Sequence, residues 1–216
     1  AFGDLLREND ISPIPSSISR LRRWELSGSR AAQARIFTRM AGNFMGKSNK
    51  KGRTYDWPIN HLADGHGEVT PRSFMSLMIS AARVPGQASN QVLNAQSIKS
   101  GLREASKVRV NQLELEFPWV KRVLAPLARL QVPCTMFEIS NRWKVTETID
   151  AVMARAVTGE FLPPFIASEG TKPEAALVER LVRIGILVTR NDGRYDMPDL
   201  FRVAARLLKK GGVSPT

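Results

Sequence analysis

The sequence has little with which to bind a metal or close a disulfide. Its 216 residues hold one cysteine, Cys134, and two histidines, His61 and His66. A single thiol excludes an internal disulfide, and so few soft or imidazole ligands argue against a zinc site. Long apolar runs are lacking as well. None approaches the roughly 18–20 residues that a membrane span needs, and no signal peptide opens the chain. A cytoplasmic protein with no membrane partner is expected. The first residue is Ala1, and "AFGDLLREND" enters at once on an amphipathic pattern, as in a segment cut from a larger protein. Tag removal or methionine processing would leave the same start.

Acidic residues are the next scarcity. There are 20 Asp and Glu against 32 Lys and Arg, a formal net charge of +12, which points to a polyanionic partner. The excess is uneven: 11 basic against 7 acidic residues over 1–69, 9 against 3 over 70–133, and 12 against 10 over 134–216. A polyanion surface is therefore expected in the first two thirds. Otherwise the composition, 43% hydrophobic and 24% charged, is that of a globular protein long enough for one large or two small domains.

Periodicity predicts a mostly α-helical chain. A short first helix, the turn-rich "ISPIPSS" and one or two basic helices kinked near Gly28 lead to an irregular, polar connection over 47–58. Thr70 and Pro71 are a cap and first-turn pair that open a helix running to about Val84, with Phe74, Leu77, Met78 and Ala81 on one face. A second helix is expected from about Asn94 to Glu114. Its Lys99, Arg103 and Lys107 are stacked at i, i+4, where like charges repel, so they are candidates for a nucleic acid or another partner. Either that or a solvated face accounts for the stripe. "QVP" reads as a linker, which sets a boundary between a basic helical domain, 1–133, and a second domain, 134–216. In the second, a helix over about 146–158 is followed by a capping box, Thr171 with Glu174, and a helix stopped by Gly185. "ILVT", the turn "RNDG" and "RYDM" then make a β-hairpin. Helix, helix, hairpin, helix is a winged-helix pattern.

Chemistry-bearing motifs are thin. "AGNFMGKS", 41–48, matches the loose spelling of a P-loop, but a helical, basic segment precedes it and no amphipathic helix follows, so Lys47 and Ser48 are assigned to an exposed basic loop. His61, Asp64 and His66 lack a clear further ligand or a partnered nucleophile. No catalytic residue is assigned. Arg72 is the residue out of place: a cation in the first turn opposes the helix dipole by roughly 0.3–1 kcal/mol. It should either bend to Asp64 or Glu68 or face an anion.

At these residues a family resemblance enters. "GEVTPRSFMSLMISAAR" resembles the start of the helical lid in AAA-family ATPases, where a proline-arginine pair near a helix N-terminus carries the sensor-2 arginine. "MAGNFMGKSNKKGRTYDWPINHLADGHGEVTPRSF", "GLREASKVRVNQLELEFPWVKRVLAPL" and "GRYDMPDLFRVAARLLKKGGVSP" together look similar to C-terminal regions of large bacterial P-loop ATPases. The resemblance spans most of 35–216. It implies a helical lid-like domain followed by a winged helix, with Arg72 reaching the γ-phosphate of a nucleotide bound to a preceding core. It also implies Arg30, Arg35 and Arg39 as subunit-boundary candidates, and an ATPase core or neighbouring subunit as partner. The chain lacks the strand bearing Walker B acids and a credible Walker A loop, so alone it should not hydrolyse ATP and needs no cofactor; ATP and Mg would belong to a longer parent protein.

On the expected winged helix, Lys172, Arg180 and Arg183 are offset by Glu174 and Glu179, and Arg190 and Arg194 by Asp192 and Asp196, a poor balance for DNA. Arg202, Arg206, Lys209 and Lys210, on a final helix and tail, are the better basic patch. Two alternatives stand beside the ATPase reading: a freestanding winged-helix DNA-binding protein and a pure protein-interaction module.

Overall fold

The computed structural model describes residues 30–85, 91–166 and 170–215. The expected first helix, the "ISPIPSS" break and the kink at Gly28 lie outside them. The described chain is mostly helical. Its elements are α1 (Arg30–Ala41), α2 (Trp57–Leu62), α3 (Pro71–Ala82), α4 (Ala95–Glu116), α5 (Val120–Leu124), β1 (Gln131–Val132), α6 (Met136–Val145), α7 (Thr148–Val157), α8 (Pro173–Arg183), β2 (Val188–Thr189), β3 (Tyr195–Asp196), α9 (Asp199–Arg202) and β4 (Leu208–Lys209). No helix among the described residues is long and apolar enough to cross a membrane.

The chain divides into two compact units, Ala1–Trp57 with Pro85–Gln96, and Pro58–Val84 with Ser97–Thr216. This division does not coincide with the boundary expected at 133/134. "QVP" is no linker: Gln131 and Val132 pair in parallel with Leu208 and Lys209. The buried Trp143 donates its indole N–H to the Val123 carbonyl at 2.9 Å, and the Ala204 N–H reaches Ser106 Oγ at 2.9 Å. Segments on both sides of Pro133 thus share one core.

In the first unit, α1 buries Ala32, Ile36 and Ala41 and ends at Gly42, whose φ of 78° and bond from its N–H to the Thr38 carbonyl close the helix. Chain 43–54 then folds back on itself. Met45 N–H donates to the Gly52 carbonyl at 2.9 Å and Thr54 N–H to the Asn43 carbonyl at 3.1 Å, while the Thr54 hydroxyl bonds the Gly42 carbonyl. Met45 and Thr54 are buried and anchor the loop.

In the second unit, α3 begins as its sequence dictates. Thr70 accepts the Ser73 N–H, Pro71 fills the first position, and Leu77 and Ala81 are fully buried. Against them lies Gly101 of α4, where a Cβ would overlap the Leu77 carbonyl oxygen and sit 3.2 Å from Ala81 Cβ. Glycine is required there by close approach rather than by conformation. Helix α6 packs on α7 and α8, and the hairpin β2–β3 follows α8. A third short stretch joins that hairpin, since Cys134 and Tyr195 exchange N–H···O bonds of 2.9 and 2.7 Å.

Three local expectations change. The capping box is at Thr135 and Glu138, which open α6, a helix the sequence pattern did not single out. At Thr171 and Glu174 none forms: Pro173 takes the first helical position, so the N-cap falls to Lys172 and Thr171 lies one residue too early. The last helix is only the four residues of α9, so the expected basic helical face on Arg202 and Arg206 does not exist.

Candidate anion-binding sites

Arg72 occupies the second position of α3, exposed, in a first turn with no acidic residue. No carboxylate among the described residues pairs with it. The alternative partner Asp64 is turned to its own loop, where Oδ1 accepts the N–H groups of His66 at 2.9 Å and Glu68 at 3.0 Å. The cation therefore sits at the positive end of a helix dipole, answered by nothing in the described structure.

The α4 stripe is partly spent. Arg103 donates Nε to the Ser214 carbonyl at 3.1 Å, and Lys107 pairs with Glu104 at 2.8 Å. Lys99, half-buried, has no ion pair among the described residues. The tail changes most. Arg202, expected to face a polyanion, is fully buried: Nε pairs with Asp199 at 2.6 Å, Nη1 donates to the Leu207 carbonyl at 2.9 Å and Nη2 to the Val213 carbonyl at 2.8 Å. It is corrected to a structural residue, since all three nitrogens are used inside the fold. Lys209 pairs with Asp196 at 2.8 Å, while Arg206 and Lys210 are exposed without a carboxylate partner among the described residues.

Along α8 and the hairpin, Arg183, Arg190 and Arg194 are matched by acids, while Lys172 is exposed without a carboxylate partner among the described residues. Arg183 pairs with Glu179 at 2.8 Å, Lys144 reaches Glu174 at 3.6 Å, and Arg194 holds Asp192 at 2.7 Å, keeping that carboxyl below its ordinary value. Arg190 lies 3.6 Å from Asp196, and Arg180 stacks on the Phe117 ring at 5.5 Å. Most of the charge of α8 and the hairpin is thus compensated, and phosphates would find Lys172 as the exposed unpaired cation.

In the first unit, Arg30 is held by Asp56 at 2.6 Å, a bond that raises the guanidinium above its ordinary value. Arg35 and Arg39 are exposed on α1. The "AGNFMGKS" segment is preceded by helix α1 and followed by a single 3-10 turn, Asn49–Lys51, so it has neither the strand nor the helix a P-loop needs. It forms instead the tip of the folded-back loop, with Lys47, Lys50, Lys51 and Arg53 exposed. His61 lies 3.6 Å from Asp199 and His66 Nε2 is 3.2 Å from the Arg183 carbonyl. Among the described residues no three His, Cys, Asp or Glu are grouped to hold a metal ion.

What the sequence did not reveal is that Lys107 and Arg206, nearly a hundred positions apart, line one groove with Lys121. No local periodicity signals such a meeting. No family model, curated protein or solved structure matches the chain.

Proposed function

We propose that this chain is a non-catalytic regulatory part of an AAA-like ATPase, in which a lid helix senses nucleotide held by a core in a longer polypeptide or a neighbouring subunit. The observation that carries this is Arg72. A residue expected either to pair with Asp64 or Glu68 or to meet an anion is exposed and pairs with neither. A γ-phosphate placed at the start of α3 would meet the guanidinium at the positive end of the helix dipole. We further propose that α6, α7, α8 and the hairpin, with the Cys134 stretch as third strand, form a winged helix that carries lid movement to DNA or a protein. Its matched charges favour docking over DNA contact. Arg30, which is held by Asp56, Arg35 and Arg39 are the candidates for a subunit boundary.

The experiment is ATP turnover by the native assembly purified from its own cells through a tag on this chain. Arg72→Ala should lower kcat by about 10²–10³-fold with nucleotide binding retained; unchanged turnover in an assembly that hydrolyses ATP refutes the sensor role.

A second reading, the pure interaction module, is favoured by one observation. Phe137, Val145, Val157, Leu162 and Ile166 are all strongly exposed, Ile166 at 87%, within one stretch of the second unit. Lone exposed apolar residues are ordinary; five large ones over 137–166 are more than the described rest of the second unit exposes in any stretch of that length, and a protein partner would cover them. That reading predicts a stable complex that forms with or without ATP.

A further inference from the structure

Two arginines distant in sequence meet in a backbone conformation that neither favours. Arg129 has φ 65° and Arg206 has φ 60°, in the left-handed region where a Cβ crowds the neighbouring carbonyl. The Arg129 N–H donates to the Arg206 carbonyl at 2.8 Å, which joins the two strained residues directly. Both are exposed, and neither has a carboxylate partner among the described residues. Glycine would hold both turns with less strain, so the fold alone gives no reason for arginine at either place. Strain of this kind concentrates at functional sites.

Beside them runs a groove of about 380 Å³. Helix α4 contributes Lys107 and Asn111, α5 contributes Lys121, and the turn after α9 contributes Arg206; the floor is alanine and aliphatic, and includes Ala128 next to Arg129. Lys107 and Lys121 already hold Glu104 at 2.8 Å and Glu114 at 2.5 Å. Of the cations lining the groove, Arg206 alone is therefore uncompensated, and Arg129, next to the lining Ala128, adds a second unpaired cation beside it. No aromatic residue lines the groove.

We propose that this groove binds the phosphodiester backbone of a nucleic acid, with Arg129 and Arg206 as its phosphate ligands. A guanidinium presents a planar fork that matches two phosphate oxygens. A polyanion would compensate the charge of both arginines, which no carboxylate among the described residues answers. The small side chains of the floor allow a backbone to approach closely. Without an aromatic ring to stack a base, contact is made to the backbone and is tolerant of sequence. An acidic peptide fits less well, since the two lysines already have carboxylates and would only exchange one for another. This goes beyond nucleotide sensing and needs neither an ATPase core nor Arg72, so either idea can fail without the other.

The test uses the full chain, a fluorescently labelled duplex DNA and a labelled single strand, read by anisotropy across a salt series. Arg129→Gly and Arg206→Gly each remove the cation and install the residue that left-handed backbone prefers. Thermal midpoint should hold or rise while affinity falls roughly tenfold per arginine, and on duplex the log–log salt slope should flatten by about 0.9 for each arginine removed. Scrambling the DNA sequence should change little. Unchanged affinity and slope in the double variant overturn the proposal, as does absence of binding by the wild-type chain. Displacement of the DNA by polyglutamate at equal charge concentration also overturns it. So does a lower midpoint that tracks the lost binding, because the arginines would then serve the fold.

Discussion

Replacing Arg202 by alanine should cost this protein much of its stability. The guanidinium is fully buried and satisfies three acceptors: the Asp199 carboxylate at 2.6 Å and the Leu207 and Val213 carbonyls at 2.9 and 2.8 Å. Its removal leaves Asp199, whose side chain is 12% exposed, without its close cation, while His61 at 3.6 Å compensates only when protonated. Breaking a buried pair from one side costs about 3–5 kcal/mol, and each stranded carbonyl about 1–3 kcal/mol. Water entering the vacated space recovers part of the second figure, so we take about 4 kcal/mol, close to a thousandfold in the folding constant. Domains of this size are stable by only about 5–15 kcal/mol. Urea unfolding followed by tryptophan fluorescence reads the loss, because Trp119 and Trp143 are buried in the same unit. The midpoint should fall with the slope retained, and Arg202→Lys should lie between, keeping the charge without the fork. A loss below about 1 kcal/mol, the value of a surface pair, would refute the structural role of Arg202.

Other expectations follow from single contacts. Gly101→Ala should destabilise by about 1–3 kcal/mol, because its Cβ would overlap the Leu77 carbonyl at the α3–α4 crossing; a neutral result in the same urea assay would contradict that packing. Burial, with smaller contributions from Glu138 and Asp196, pushes the Cys134 thiol up to about 11. The native protein should therefore resist a thiol-specific disulfide reagent at neutral pH, and labelling should follow unfolding; prompt labelling would contradict it. The Thr135 N–H and hydroxyl hold Glu138 below the ordinary carboxyl value. The stability this adds is fully present above the ordinary value and is lost as pH falls through the lower folded value. Glu138→Gln should flatten that acid limb, and an unchanged pH profile would show that the cap contributes nothing.

Several local signals read correctly. Thr70 and Pro71 start α3, Gly185 with φ 75° ends α8, and "RNDG" turns the β2–β3 hairpin. Thr135 and Glu138 carried an equally local signal, but the capping pattern was assigned to Thr171 and Glu174, where Pro173 moves the cap by one residue. What depends on distant chain was hidden. Arg202 looks like a surface cation because its acceptors Leu207 and Val213 lie beyond the helix that carries it. "QVP" looks like a linker because its strand partner is Leu208–Lys209. Arg129 carries no motif at all, and only the crossing of two turns places it against Arg206. Arg72 was legible as a misplaced charge; its freedom from Asp64 and Glu68 was not, since both expectations fit the sequence equally.

The most direct test of nucleotide sensing is protection of Arg72 from phenylglyoxal in the native assembly, followed by mass spectrometry of the peptide spanning α3. Exposed and unpaired, Arg72 should react readily without nucleotide and with ADP. A non-hydrolysable ATP analogue should slow its modification by about tenfold or more, the effect of a charge-assisted contact to the γ-phosphate. Equal modification with ATP analogue and ADP, in an assembly shown to bind both, would contradict the assignment of Arg72 as the residue that reads nucleotide state.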